Sequence, residues 1–496
     1  FATLQDLISE GEIEGFATPS KAGLSRNTTA YNNAALKDVF LNNTPVLSEN
    51  ASNTNPQEEK FNFKDVEFTP RFGTANQPHI AGIQQSQSPL ADFDPVLCSK
   101  ANGGVQRDLP VGKDAVKITV TFNQIQKATD KGDLLGSSVT LKISLKVNSE
   151  TTYTEKLRDT ITGRTADAYS KEYRINLPDG YSFANVSIER VTDDQPSGGN
   201  TVDAFNVSLI QLLIDDRQTY PDSAYTNLRI DSEQFSSIPD RSYRIRGVKV
   251  RIPGAGAGGS GTPTVVSNQT IANSLNLGPC SSFGFIHYPV GYIFNGTMGA
   301  AQWCSDPAMI LLDLLTNQRY GFGVQISPNF DPANPNDNDL YENLDLFSFV
   351  AASKYATGNK GGSELLDDGG QAKEPRFSCN VNIQGSTDAF KLINELAGVM
   401  RCFPIWSEGS IFISQDRPTD PTYLFSLANV GEGGFSYSGS SLKQRNTRIN
   451  VSYFNMDSRE IDYEVIDDTT AQAKLGIIKK DIKAFACTSR GQAQRL

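Results

Sequence analysis

Two stretches of this sequence alternate strictly between apolar and polar side chains. Residues 116–122 read VKITVTF, and residues 139–147 read VTLKISLKV. A period of two is typical of a β-strand with one face buried and the other in water. Further strands are predicted over 171–177, 184–191 and 203–214. Short strands at this spacing predict an antiparallel β-sandwich-like domain, which we place at residues 112–212 as an insertion into the rest of the chain. Residues 84–109 are polar and carry no such pattern.

A second pattern, near the C-terminal end, predicts a strand–helix–strand unit over residues 374–441. Apolar and polar residues alternate over 376–383, which indicates a strand, and Ser386 or Thr387 offers an N-cap oxygen to the helix that follows. The apolar face of this helix is predicted to hold Phe390, Ile393, Leu396, Ala397 and Met400. Pro404 is predicted to end the helix before the second strand. No catalytic group is evident in this unit.

Helical patterns elsewhere are few. A short helix is predicted over 2–9, with Leu4, Leu7 and Ile8 on one face. The clearest helix is predicted over 306–320, with Asp306 as its N-cap and Gly321 as the residue just after its end. A third is predicted over 339–355. Many short strands with these few helices indicate a mainly β fold with some α+β content.

The balance of charges limits the partners that this chain can have. Its 496 residues, enough for about three domains, carry a formal net charge of −11. Binding to the phosphate backbone of nucleic acids needs clusters of Lys and Arg, so we expect no sequence-specific nucleic-acid binding. If a negative surface lines a channel, we expect it to repel DNA and let it slide past.

The cysteines do not form a metal-binding or disulfide pattern. They are widely scattered, with no CxxC pair, at Cys98, Cys280, Cys304, Cys379, Cys402 and Cys487. Zinc ligands come in closely spaced pairs. We therefore expect buried free thiols in a protein assembled in a reducing cytoplasm.

Three patterns resemble chemical motifs, and each lacks the context that its chemistry needs. Gly254, Gly256 and Gly259 fit GxGxxG, but TPTVVSNQ follows where a dinucleotide site needs a helix. An acidic cluster lacks the spacing and the glycine of an EF-hand loop, and reads instead as a helix start: Asp337, Asp339, Glu342 and Asp345. His79 and His287 lie near no nucleophile motif. The sequence therefore predicts no catalytic, cofactor-binding or metal-binding residue.

Four large side chains are candidates for contacts with a partner. Trp406 and Tyr437 lie in the C-terminal unit, where core packing is favoured over an interface for both. Arg319 and Arg376 lie at the edges of predicted elements, where an ion pair across a subunit contact and a surface ion pair within the chain are equally expected.

Several long strings resemble, in the same order, those of the tail-tip attachment protein J family of lambda-like long-tailed phages. They are LQDLISEGEIEG (4–15), LLDLLTNQRYGFG (311–323), PRFSCN (375–380), GVMRC (398–402), the Trp406-x-x-Gly409 turn, SQDRP (414–418), ANV (428–430), FSYSGSSLKQR (435–445) and AFACTSRGQAQR (484–495). The resemblance covers most of the chain. The sequence does not start with Met and ends inside a family string, so we expect it to be an internal piece of a longer polypeptide.

The resemblance implies a virion structural protein at the distal tip of the tail, assembled in the host cytoplasm. In this family three copies form a ring, and two related β-rich hub domains per chain mimic sixfold symmetry, so that the ring mates with the distal tail and tail-tip ring proteins. The central channel holds the end of the tape-measure protein before DNA passes. Receptor recognition belongs to regions C-terminal to this piece. No enzymatic activity and no cofactor are implied.

The resemblance also implies how the chain divides into hub modules. We expect a discontinuous first hub domain at 1–111 and 213–300, the inserted β domain at 112–212, an α+β hub domain at 301–435 and the start of a further β-rich hub domain at 436–496.

Two other functions remain as alternatives from the sequence. One is an adhesin, in which the inserted domain binds the cell surface directly through aromatic side chains at its loop tips. The other is a cell-wall hydrolase, since 56 acidic residues always offer pairs of carboxylates. Solvated surface charge is the expected role of those acids.

Overall fold

Strands predominate in the computed structural model of the chain, which holds 37% strand and 16% helix. The structure describes residues 2–129, 131–196, 198–333, 337–358, 364–385, 388–439, 441 and 445–496. The strands form many small sheets rather than one large one. The predicted mainly β class with some α+β content is confirmed.

The helices and strands are as follows. The first strands are β1 (Ala2–Glu10), β2 (Ile13–Phe16), β3 (Val39–Leu41), β4 (Thr44–Pro45) and β5 (Glu67–Phe72). The next are β6 (Gln84–Pro89), β7 (Val96–Cys98), β8 (Val105–Leu109), β9 (Ala115–Phe122), β10 (Gln126–Ala128), β11 (Leu134–Leu135), β12 (Ser137–Val147), β13 (Thr154–Gly163), β14 (Tyr169–Asn176), β15 (Ala184–Arg190), β16 (Thr201–Val202) and β17 (Phe205–Asp215). The last are β18 (Ser223–Ile230), β19 (Arg241–Tyr243), β20 (Ile245–Pro253), β21 (Thr264–Val266), β22 (Phe285–His287), β23 (Met298–Trp303), β24 (Leu366–Asp367), β25 (Lys373–Glu374), β26 (Cys402–Ser407), β27 (Ser410–Gln415), β28 (Arg448–Asn455), β29 (Glu460–Asp467) and β30 (Lys479–Lys483). The helices are α1 (Ala17–Lys21), α2 (Thr29–Ala35), α3 (Gln269–Ser274), α4 (Pro307–Thr316), α5 (Gly323–Ile326), α6 (Asp337–Leu340), α7 (Leu346–Thr357), α8 (Ala389–Val399), α9 (Thr469–Leu475) and α10 (Arg490–Arg495).

The chain divides into two compact units. The main unit comprises Phe1–Ala75 and Pro221–Leu496, and the inserted unit comprises Asn76–Tyr220. The two larger sheets of the inserted unit have strand orders β13-β12-β15-β8 and β14-β9-β17-β6, with β7 also paired to β17, and a third, small sheet has the order β11-β10-β16. Apolar side chains from both larger sheets meet in one core, for example Val116, Ile118, Leu141 and Ile143. Two sheets that share a core and keep polar outer faces form a β-sandwich.

Strands β6, β7 and β8 lie in a stretch where the sequence pattern predicts none. Strands β6 and β7 pair with β17, and β8 pairs with β15. The expectation of an irregular segment at 84–109 is therefore wrong. Backbone hydrogen bonds to well-patterned neighbours place these strands, whose own sequences lack apolar alternation. The division of the chain into four domains stays a prediction.

The first element of the main unit is a strand, and the predicted helix over 2–9 is wrong. β1 pairs antiparallel with β18, and β18 pairs with β5 on its other side. Leu4 faces the apolar core with Ile8, whereas Leu7 is exposed. Leu4 and Ile8 fit a helix and a strand equally well, so the ladder with β18 decides the outcome.

Helices α4, α7 and α8 share the largest apolar core of the main unit. Asp306 caps α4 as predicted, because its carboxylate accepts hydrogen bonds from the backbone N–H groups of Ala308 and Met309 at 3.0 and 3.1 Å. The helix ends at Thr316, four residues before the predicted end. The predicted helix over 339–355 is two helices, α6 and α7.

The predicted strand over 376–383 is absent among the described residues of that segment, which form no ladder there. Phe377 and Cys379 are buried in the core, but the alternation has no neighbouring strand to pair with. Ser386 and Thr387 lie outside the described residues. Asp388 caps α8 instead, accepting a hydrogen bond from the Lys391 N–H at 2.8 Å.

Two segments far apart in the sequence meet where α4 ends. Arg319 Nε lies 2.7 Å from Glu10 Oε2, and its Nη1 and Nη2 donate to the Pro221 carbonyl and the Ser223 hydroxyl at 2.9 and 2.8 Å. Tyr320 packs beside Gly11, where a Cβ atom would lie 3.0 Å from the ring. Gly11 has a φ of +88°, which favours glycine. These contacts join α4 to β1 and β18.

We expect the stability of the main unit to depend on pH through Asp313. Tyr320 donates a hydrogen bond to Asp313 Oδ2 at 2.6 Å, yet burial raises the pKa of Asp313 to about 6. The folded state then holds a proton that the unfolded state releases above pH 4, so stability falls as pH rises through about 6. Asp313→Asn should remove this fall, which amounts to about 2 kcal/mol.

Urea unfolding at pH 4.5 and pH 7, followed by tryptophan fluorescence, measures this effect. Both tryptophans, Trp303 and Trp406, lie in the main unit. The exposed Asp457→Asn substitution is the control. Equal pH dependence in the wild type and in Asp313→Asn would contradict the assignment.

A second prediction concerns two glycines with opposite surroundings. A Cβ atom at Gly321 would lie 2.1 Å from the Leu314 carbonyl oxygen and 2.8 Å from that of Asn317. Gly321→Ala should therefore destabilise the main unit by at least ~2 kcal/mol. At Gly398, which is exposed in α8, a Cβ atom would meet nothing within 4 Å. Gly398→Ala should therefore stabilise the main unit by ~0.5 kcal/mol or more. The same fluorescence measurement distinguishes the two, and a stable Gly321→Ala protein would show that this turn can relax.

Candidate assembly surface

Large apolar side chains lie exposed along the C-terminal part of the main unit. They include Phe390, Phe403, Trp406, Tyr423, Leu424, Phe425, Leu427 and Tyr437. Trp406 is 63% exposed and Tyr437 is 92% exposed. The expectation that these two aromatics pack in the core is therefore wrong. Exposed large apolar side chains in such number are typical of interaction sites.

A tight hairpin presents the first group. β26 and β27 pair up to Ser407 and Ser410, so Glu408 and Gly409 form a two-residue turn, and both have positive φ. Alternation along β26 buries Cys402 and leaves Phe403 on the opposite face. Pro404 lies within β26, and α8 has already ended at Val399, so the predicted role of Pro404 as the end of the helix is wrong.

The second group lies on a long connection that we call the strap, residues 416–439. It follows β27, makes up most of the connection to β28 and forms no helix or strand. Every residue in it is exposed except Val430, which is half-buried. Structureless connections of this length are uncommon in compact domains and are usually functional or disordered.

A local hydrogen-bond network shapes the strap around Asn429. The side-chain oxygen of Asn429, Oδ1, accepts a hydrogen bond from the Ser426 N–H at 2.7 Å. Its side-chain nitrogen, Nδ2, donates to the Leu424 carbonyl at 2.8 Å and to the Tyr423 hydroxyl at 3.3 Å. The Tyr423 and Phe425 rings meet edge to face at 4.9 Å. Asn429 therefore holds a turn from which the apolar side chains of 423–427 project.

A third apolar surface lies on the sheet of strand order β29-β28-β30. Its inner face packs Val451 and Tyr453 against Ala484 and Cys487. Its opposite face, which we call the outer sheet face, exposes Phe454, Ile461, Tyr463 and Val465. Register places Lys479, Asp481 and Lys483 of β30 on the same face, beside Arg448, Asn450 and Ser452.

The most buried polar cluster has a structural role. Ser353 Oγ donates to Asp306 Oδ2 at 2.7 Å and lies 2.7 Å from the Tyr288 hydroxyl. All three residues are buried, and burial raises the pKa of Asp306. A carboxyl, a hydroxyl and a phenol thus join α4, α7 and the segment after β22, but they are closed to any substrate.

Comparison with known proteins places the chain among phage proteins. Residues 103–216 match the family model of the FNIII-A domain of tip attachment protein J. Tip attachment protein J of Escherichia phage SECphi27 is 26% identical over 468 residues, covering 93% of this chain and 34% of that protein. Tip attachment protein J of Escherichia phage SECphi4 is 25% identical over 491 residues, covering 98% of this chain and 37% of that protein. The chain is therefore similar to tip attachment protein J along nearly its whole length.

The chain spans about a third of the length of the curated J relatives that it matches. A likeness to a solved structure is much weaker. The receptor binding domain of the spike protein P1 from bacteriophage PM2 aligns with 26% of this chain and 93% of that chain, at 13% identity and a TM-score of 0.17. That likeness carries no argument about fold or function.

The strings that first suggested the J family lie at the contacts described above. The strings at 4–15 and 311–323 hold the two sides of the Arg319–Glu10 contact. The string at 428–430 contains the Asn429 that shapes the strap. Arg319 thus pairs within the chain, and Arg376 stacks on the Tyr355 ring at 4.5 Å.

The motif-like patterns of the chain lie in structural settings. Gly254–Gly259 leads from β20 towards β21, a strand, where a dinucleotide site needs a helix. His287 lies in β22, and burial lowers its pKa. His79 lies in the inserted unit.

The acidic cluster likewise has structural partners. Asp345 caps α7 through the Phe347 N–H at 3.1 Å, and Glu342 accepts from Asn329 at 2.8 Å. The Asp337 side chain lies outside the described residues. In the part of the chain that the structure describes, no group of three or more His, Cys, Asp or Glu side chains can hold a metal. No helix in the same part is long and apolar enough to cross a bilayer.

The six thiols are free, and five of them are buried. Burial raises the pKa of Cys98, Cys379 and Cys402 to about 12. Such thiols stay protonated and unreactive at neutral pH. The prediction of free thiols is confirmed, and that of burial is confirmed for all but the half-buried Cys280.

We expect Asn429 to control the order of the strap without affecting the stability of the main unit. Asn429→Ala removes the acceptor for Ser426 N–H, so hydrogen exchange at that amide should become faster by about fivefold, as one hydrogen bond is worth ~1 kcal/mol. Asn429→Asp keeps the acceptor and should leave the Ser426 amide protected. Thermal unfolding should be unchanged in both, and equal exchange in all three proteins would show that the turn does not depend on this side chain.

Proposed function

We propose that this chain is part of the hub at the distal tip of a phage tail, where copies of it form a ring. The observation that carries the proposal is the J-family match along 93% and 98% of the chain. The role is one of assembly: the chain links the tail tube and distal tail rings to the receptor-binding tip. No catalytic step is part of this role.

The exposed apolar surfaces support a role in assembly. A soluble monomer rarely keeps so many aromatic and leucine side chains in water. Tyr and Trp are enriched where protein interfaces bind most strongly. Trp406, Tyr423 and Tyr437 are therefore suited to contacts with partner proteins.

The finer features of the proposal follow the resemblance. The ring is a homotrimer that mates with the distal tail and tail-tip ring proteins. Its channel encloses the end of the tape-measure protein and later the passing DNA. The net charge of −11 suits a channel that lets DNA slide past without binding. Regions of the longer protein outside this chain contact the host receptor.

The mass of the purified chain in solution tests the ring. A homotrimer of the 54.0 kDa chain has a mass of about 160 kDa by sedimentation equilibrium. Dilution into the nanomolar range should leave an obligate ring intact. A 54.0 kDa species at micromolar concentration would contradict the proposed homotrimer.

A further inference from the structure

The chain exposes two unlike apolar surfaces that do not cover each other. The strap projects Tyr423, Leu424, Phe425 and Leu427, and the outer sheet face exposes Ile461, Tyr463 and Val465. The strap precedes β28 of that sheet in the sequence, and both surfaces remain in water in the single chain. Each therefore lacks the partner that would remove its apolar area from solvent.

We propose that the strap of one copy packs on the outer sheet face of the next copy, in a head-to-tail contact. This inference rests on the proposed self-association and names the surfaces that carry it. The partner is a second copy of the chain, because each copy carries both a strap and an outer sheet face. Each copy gives its strap to one neighbour and receives the strap of the other.

The area of the strap matches what a stable contact needs. Its six large apolar side chains are Tyr423, Leu424, Phe425, Leu427, Phe435 and Tyr437. With 150–250 Å² per aromatic side chain and 45–92% of each strap aromatic exposed, they offer on the order of 1,000 Å². A standard interface buries ~800 Å² on each partner.

Charge favours the same pairing. The strap carries three carboxylates, Asp416, Asp420 and Glu432, against the single guanidinium of Arg417. β30 carries Lys479, Lys480 and Lys483 against Asp481. Register places Lys479, Lys483 and Asp481 on the outer sheet face and Lys480 on the inner face. With Arg448 and Asp467 of the neighbouring strands, the outer sheet face carries three cations against two carboxylates. A net negative strap and a net positive face favour this pairing over a strap–strap contact, in which like charges meet.

The strap is also shaped before it binds. Asn429 bonds to Ser426, Leu424 and Tyr423, so the turn that presents the apolar side chains does not have to form on contact. Pre-formed binding segments lose less conformational entropy on association. Contacts between two different patches on identical subunits generate rings when the rotation closes. A head-to-tail contact is therefore the kind that a hub ring requires.

Complementation between two variants tests the pairing. The strap variant is Leu424→Ser, Phe425→Ser and Leu427→Ser, and the face variant is Ile461→Thr, Tyr463→Thr and Val465→Thr. The control replaces three exposed apolar residues outside both surfaces, Ile238→Ser, Val290→Ser and Val324→Ser. All are compared with the wild type by sedimentation and by circular dichroism.

We expect the strap and face variants alone to be monomers and the control to keep the wild-type ring. Mixed in equal amounts, the strap variant and the face variant should form a dimer of about 108 kDa and nothing larger. In this dimer the intact strap of the face variant meets the intact face of the strap variant. Rings that persist in either variant would overturn this pairing and leave the proposed hub standing. A mixture that stays monomeric would overturn it too. A monomeric wild type would overturn the hub ring and this pairing together.

A cross-link keeps the proposal testable if either triple variant fails to fold. Ser426→Cys lies on the strap and Ser452→Cys on the outer sheet face, and both changes are nearly isosteric. Oxidation of the double variant should give covalent oligomers up to the size of the ring, whereas each single variant should stay uncross-linked. A double variant that forms the ring but gives no cross-linked oligomers would overturn the pairing.

Discussion

The main unit depends on a contact between residues that lie 309 positions apart. Arg319 binds Glu10 and the start of β18, and Tyr320 fills the space that Gly11 leaves open. Because loop-closure entropy grows slowly with length, a contact over such a distance tolerates a large insertion between its two ends.

The site of the insertion is explained by the first sheet. The inserted unit leaves the main unit after β5 and rejoins it before β18, and those strands are neighbours in which Phe72 pairs with Ala224. An insertion whose two ends already lie side by side does not stretch the sheet that receives it. The main unit therefore keeps one set of contacts although its sequence is discontinuous.

Sequence patterns predict the fold where burial on one side decides the structure. β9 and β12 alternate as predicted because one face of each meets the sandwich core. Sequence patterns fail where strand pairing decides the structure. β6 has no apolar alternation and is a strand because β17 lies beside it, whereas residues 376–383 alternate and have no ladder. Periodicity reports which face is buried and does not report whether a neighbouring strand exists.

The candidate assembly surface is less visible in the sequence for a related reason. Trp406 and Tyr437 carry the pattern of core aromatics, and a single sequence does not show whether the chain itself or another copy covers them. The strap offers one signal, since 32 residues, 416–447, separate β27 from β28 in the sequence. Its length together with its aromatic content distinguishes it from an ordinary polar loop.

A chain with such surfaces must remain soluble before it assembles, and its charge distribution explains how. The net charge of −11 repels copies at a distance, which opposes non-specific contact between their apolar surfaces. The basic strand β30 is a local exception placed beside the apolar outer sheet face. Association is then favoured where an acidic strap meets this basic edge and is opposed elsewhere. The same charges that keep the copies apart thus select the one orientation in which their apolar surfaces are buried.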